Sequence, residues 1–121
     1  MTSPASWACS SSGYALGMRV EVLSFEGCPN AEAAVGLVRE VASEVGVEPD
    51  LVVVDVEDAA AAERLGFLGS PTVRVDGRDV ETGADGREQF AYSCRVYRSA
   101  SGLSGLPERA WVAAALRAAS R

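Results

Sequence analysis

At 121 residues, 48% of them hydrophobic, the chain is long enough for one domain with one core and short for two. Its 11 Lys and Arg against 17 Asp and Glu leave a net charge of -6, which repels phosphate backbones and anionic lipid and makes nucleic acid and membrane surfaces poor partners. The chain contains no histidine, which removes Ser-His-Asp and Cys-His pairs, most zinc sites and the usual base near neutral pH.

Chemistry is therefore left to thiols, carboxylates, hydroxyls and the backbone. The three cysteines, Cys9, Cys28 and Cys94, are too few and too widely spaced for a disulfide framework or a four-thiolate metal site. No metal site and no cofactor is expected. No apolar run approaches the roughly 20 residues needed to cross a bilayer. The first 17 residues lack the basic start and apolar middle of a secretory signal, so a cytoplasmic, reducing compartment is the expectation.

Residues 1–18 are rich in Ser, Ala and Gly without a helical or strand period and read as an irregular extension. Residues 19–121 then form one patterned domain. Residues 19–25 (RVEVLSF) are dense in β-branched and aromatic side chains and end against Gly27, which predicts a strand. From Pro29 to Val45 the residues Ala34, Leu37, Val38, Val41 and Val45 recur at helical spacing, and Gly46 supplies a stop. Pro29 suits the first helical position. Residues 51–56 (LVVVDV) are nearly continuously apolar, as in a strand covered on both faces of a largely parallel sheet. A short Ala-rich helix follows, capped by Asp58 and closed by Gly66.

The Gly69-Ser70-Pro71-Thr72 step leads into an alternating strand, TVRVD, and an Asp76-Gly77 turn signal. The polar residues 78–89 read as a loop, and residues 90–98 (FAYSCRVYR) alternate well enough to be the antiparallel partner strand. Pro107 opens a final helix with Trp111, Val112, Ala115 and Leu116 on its apolar side. The order β-α-β-α-β-β-α describes an α/β domain with a four-stranded mixed sheet, its first two strands parallel and helices on both faces.

With that order in place, a cysteine directly after the first strand (FEGCPN) and a Ser-Pro-Thr step before the third make the chain resemble the thioredoxin superfamily, over roughly residues 19–119. More narrowly, FEGCPN, LGFLGSPTVRVDGRD and SCRVY look like short bacterial thioredoxin-family proteins sometimes labelled alkylmercury-lyase-like. The resemblance implies a three-layer thioredoxin-like fold, Cys28 as reactive thiol and a cis-proline at Pro71 facing it. The departures are specific. Ala31 stands where the second cysteine of a two-cysteine motif would be, Val22 where thioredoxins keep a buried acid, and Gly27 where an aromatic residue commonly precedes the cysteine. The Cys-Pro pair is closer to the glutaredoxin style and its single-thiol variants.

Cys28 has a physical case of its own, since a helix start beside it favours the thiolate, with Glu26 opposing. The competing reading is a small buried hydrophobe. Pro29 and Asn30 flank the thiol. Ser70, Pro71 and Thr72 are expected to line the substrate site, with the Ser70 backbone pairing with an extended thiol substrate. Cys94 has two readings: a core-facing residue in phase with Val96, or a second thiol that resolves a mixed disulfide with Cys28. Cys9, in the extension, reads as incidental, the alternative being a resolving thiol that folds back to Cys28. The expected activity is thiol-disulfide exchange or thiol transfer on a thiol or disulfide substrate, with a thiol reductant. The alternatives are thiolate capture of a soft metal or organomercurial, and a non-redox role in a specialised biosynthetic pathway.

Overall fold

The computed structural model describes residues 18–90, 92–100 and 102–120; of the extension expected over residues 1–18, residues 1–17, with Cys9, lie outside them. Strand β1 (Arg19–Ser24) is the sheet's organising element. Its alternation sends Val20 and Val22 to one face and Leu23 to the other, and a separate apolar cluster forms on each side. The first cluster joins β1 to helices α1 (Ala31–Val45) and α3 (Arg109–Ala119) through Ala34, Val38, Val41, Val112 and Leu116. The second joins it to α2 (Ala59–Leu65) through Val56, Ala61, Ala62 and Phe67. A sheet between two helical layers follows directly from that alternation. Met18, assigned to the extension by its sequence, belongs to the first cluster, and its carbonyl accepts from the Asp50 amide at 2.8 Å.

The sheet is four-stranded and mixed with β2 (Asp50–Asp55) parallel to β1, as the element order led us to expect; its order is β2-β1-β3-β4, and β3 (Thr72–Val75) runs antiparallel to β1. The helix signals also hold. Asp58 accepts from the Ala61 amide at 2.8 Å as the α2 cap, and Gly66 and Gly46 close α2 and α1 in the left-handed conformation.

Three expectations are corrected. The apolar run of β2 lies at the sheet edge and is only partly covered: Leu51 packs on the first cluster and Val54 on the second, but Val53 is 58% exposed. The partner of β3 is not residues 90–98 but β4 (Arg78–Asp79), which follows immediately across Asp76 and Gly77, both at positive φ (50° and 83°). A two-residue turn with two left-handed residues returns the chain at once, so the pairing closes before the later segment arrives. Finally, α1 begins at Ala31 with Asn30 as its N-cap residue, and Pro29 stays in the preceding turn. The Ala31 amide bonds back to the Cys28 carbonyl at 3.3 Å, and the first α-helical bond runs from Ala34 to Asn30. Cys28 thus stands two residues before the cap.

Beyond β4 the chain makes a short 3₁₀ turn (Ala84–Gly86) and a separate hairpin of β5 (Tyr97–Ser99) and β6 (Gly102–Ser104), which leads into α3. No helix among the described residues is long and apolar enough to cross a membrane.

Candidate functional site

The β1–β3 register pairs Leu23 with Thr72, so the turn that follows β1 and the step that precedes β3 emerge at the same end of the sheet. Cys28 sits in that turn, its amide bonded to the Phe25 carbonyl at 3.2 Å, and is partly exposed. Pro29 beside it is exposed. Asn30 is half-buried, and its side chain lies so close over Gly105, in the connection to α3, that a Cβ there would have to displace it.

At the step before β3, Ser70, Pro71 and Thr72 are all buried, and the Ser70–Pro71 peptide is cis. The Ser70 hydroxyl is fully buried and has no hydrogen-bond partner among the described residues. Its main chain is fully engaged. The Ser70 amide donates to the Ser93 carbonyl at 2.8 Å, and the Ser70 carbonyl accepts from the Arg95 amide at 2.9 Å, which forms an isolated parallel bridge between Ser70 and Cys94. Residues 92–96 therefore run as a strap along this step. Tyr92 packs on Phe25 with ring centroids 5.0 Å apart, tying the start of the strap to the Cys28 turn.

Cys94 is exposed, in phase with exposed Val96, whereas Arg95 and Tyr97 point inward. The core-facing expectation for Cys94 is thus inverted, and the reason is electrostatic. The Arg95 guanidinium is bound by Asp79 through both carboxylate oxygens, at 2.7 and 3.2 Å, and by Glu81 at 2.8 Å. It also donates to the Thr72 hydroxyl at 3.1 Å, which itself donates to the Gly69 carbonyl at 2.6 Å. A charge so partnered can be buried where an unpaired one cannot.

The Arg95 guanidinium lies 4.2 Å above the Tyr97 ring, a cation–π arrangement, and the Tyr97 hydroxyl donates to the Pro71 carbonyl at 2.6 Å. Gly69, at φ 125°, lets the Arg95 backbone come close: a Cβ there would lie 2.8 Å from the Arg95 Cβ. Burial works against the Arg95 charge, yet its bonds to Asp79 and Glu81 outweigh that and raise its pKa. Burial likewise opposes ionisation of Glu81, but hydrogen bonds from Arg87 and Arg95 hold its carboxyl below the ordinary value. Burial pushes the Tyr97 hydroxyl well above the ordinary phenol range.

The site residues expected from sequence fall into two groups. Cys28, Pro29 and Asn30 lie on the turn after β1, while Ser70, Pro71, Thr72 and Cys94 lie on the step before β3 and the strap bridged to it. Arg95, Asp79, Glu81 and Tyr97 were not singled out. The available signal was a pair of acids separated by one apolar residue, Asp79-Val80-Glu81, and an arginine and a tyrosine on one side of an alternating segment. In comparisons with known proteins, no family model, no curated protein and no solved structure matches the chain.

Proposed function

We propose that this domain is a thioredoxin-like monothiol protein in which Cys28 carries out thiol-disulfide exchange. The observation that carries the reading is the Leu23–Thr72 pairing, which sets the cysteine-bearing turn and the Ser70-Pro71-Thr72 step at one end of the sheet. Cys28 is a free, partly exposed thiol at that end, open to a small reagent. The absence of histidine leaves the thiol itself as the reacting group.

The test is exchange with a disulfide reagent, followed by intact mass and peptide mapping. The expected result is a mixed disulfide on Cys28 that is lost in Cys28→Ser and retained in Cys94→Ser. Turnover of the reagent by Cys28→Ser at the native rate would overturn the reading.

A further inference from the structure

We infer that the substrate of Cys28 is a low-molecular-weight disulfide, not a cysteine in a polypeptide. The inference rests on the exchange activity proposed above. Recognition of an extended polypeptide at a sheet end depends on main-chain amide and carbonyl groups that are free to pair. At the step that shares the sheet end with the Cys28 turn those groups belong to Ser70, and both are taken by the chain's own strap, through Ser93 and Arg95. The neighbouring Pro71 carbonyl is taken as well, by the Tyr97 hydroxyl.

The strap is fastened in place. Lifting it would draw the Arg95 guanidinium, only 3% exposed, away from two bonds to Asp79, one to Glu81 and one to Thr72. Each broken bond leaves a buried polar partner without its charge-bearing donor, so the edge stays closed to a visiting strand. A compact disulfide needs no such edge. It requires only in-line approach of a sulfur to Cys28, which the partly exposed thiol permits.

In the exchange, the Cys28 thiolate attacks one sulfur of the small disulfide, forms a mixed disulfide and releases the other half as a thiolate. A second low-molecular-weight thiol then attacks the substrate-derived sulfur, making a new small disulfide and returning Cys28 as thiolate. Electrons balance: one disulfide is consumed and one formed.

The experiment uses the full chain with Cys9→Ser and Cys94→Ser, so that Cys28 is the sole thiol. Two probes with the same leaving group are compared, the mixed disulfides of N-acetylcysteine methylamide and of an uncharged extended peptide with a central cysteine, each with 2-thiopyridine. Mixed-disulfide formation is followed by mass. The expected ratio of the small to the peptide rate is clearly above one; equal rates or a faster peptide reaction overturn the inference. Failure of both probes to react overturns the exchange activity instead, so the two failures are distinct. Hydrogen exchange on the peptide adduct supplies a second readout: the Ser70 and Arg95 amides stay protected, and loss of their protection would show a strap that yields to a strand.

Discussion

Arg95 grips Asp79 through both guanidinium nitrogens, with the two side chains only 3% and 2% exposed. Removing one partner strands the other charge in the interior. Arg95→Met is therefore expected to cost about 3–5 kcal/mol, measured by urea unfolding. Replacing both partners together, Arg95→Met with Asp79→Leu, should recover more than half of that loss. Arg95→Lys should fall between native and Met, because an ammonium cannot reproduce the two-pronged bond to Asp79 while also reaching Glu81 and Thr72. A double variant no more stable than Arg95→Met alone would show that the ion pair is not the source of the cost.

Why this pair escapes a reading of the sequence, while the helices do not, has a physical basis. The α1 face and the Asp58 and Gly66 ends of α2 are local signals, because spacing and capping are decided by residues within a few positions. Burial of Arg95 depends on Asp79 and Glu81, brought to it from another part of the chain. Alternation in residues 90–98 is real, but apolarity alone puts Cys94 and Val96 inside, and the acids that bind Arg95 reverse that phase. Two-residue β4 is too short to carry a period, although the Asp76-Gly77 turn announced it. Cys28, Ser70, Pro71 and Thr72 were legible as a set only through the resemblance to the thioredoxin superfamily; the Leu23–Thr72 register that brings their segments to one end is a long-range pairing that local signals do not specify.

The edge position of β2 changes what Val53 is worth. A doubly covered strand would lose about 0.5–3 kcal/mol on a polar substitution. At 58% exposure, Val53→Thr is instead expected to stay within about 0.5 kcal/mol of the native protein in urea unfolding. A larger loss would mean that something packs on this edge in solution.

Glu81 ties stability to acid pH. Its folded carboxyl titrates below the ordinary value near 4.5, so between the two values the unfolded chain holds more protons than the folded one. Stability from this group is full above the ordinary value and is lost as pH falls through the lowered one. Urea midpoints of the native protein should accordingly fall more steeply below pH 4.5 than those of Glu81→Gln. Parallel curves for the two proteins would remove the linkage.

Tyr97 acts at the opposite end of the pH scale. Burial raises its hydroxyl above the ordinary value of 10.0, so its contribution is complete below that value and is lost as pH rises beyond it, where the unfolded chain releases a proton that the folded one keeps. Tyrosinate absorbance from Tyr97 should appear together with unfolding. Tyr97→Phe should weaken this alkaline dependence and, by leaving the Pro71 carbonyl without its donor, cost about 1–3 kcal/mol near neutral pH. Titration of Tyr97 within an intact fold would contradict the assignment.

Gly69 and Gly105 offer the sharpest contrast, because both lack room for a side chain but for different reasons. At Gly69 a Cβ would meet the Arg95 backbone, with Cα 2.9 Å away, and φ is 125°, where an alanine is strained whatever the space. Gly69→Ala should therefore cost at least about 2 kcal/mol and loosen the strap from Ser70. At Gly105 the obstacle is the end of the Asn30 side chain, which can rotate away. Gly105→Ala should stay within about 1 kcal/mol of native stability. Since Asn30 lies two residues from Cys28, its displacement should nevertheless change the rate at which iodoacetamide alkylates that thiol. An unchanged alkylation rate in a stable Gly105→Ala protein would mean that Asn30 does not shape access to Cys28.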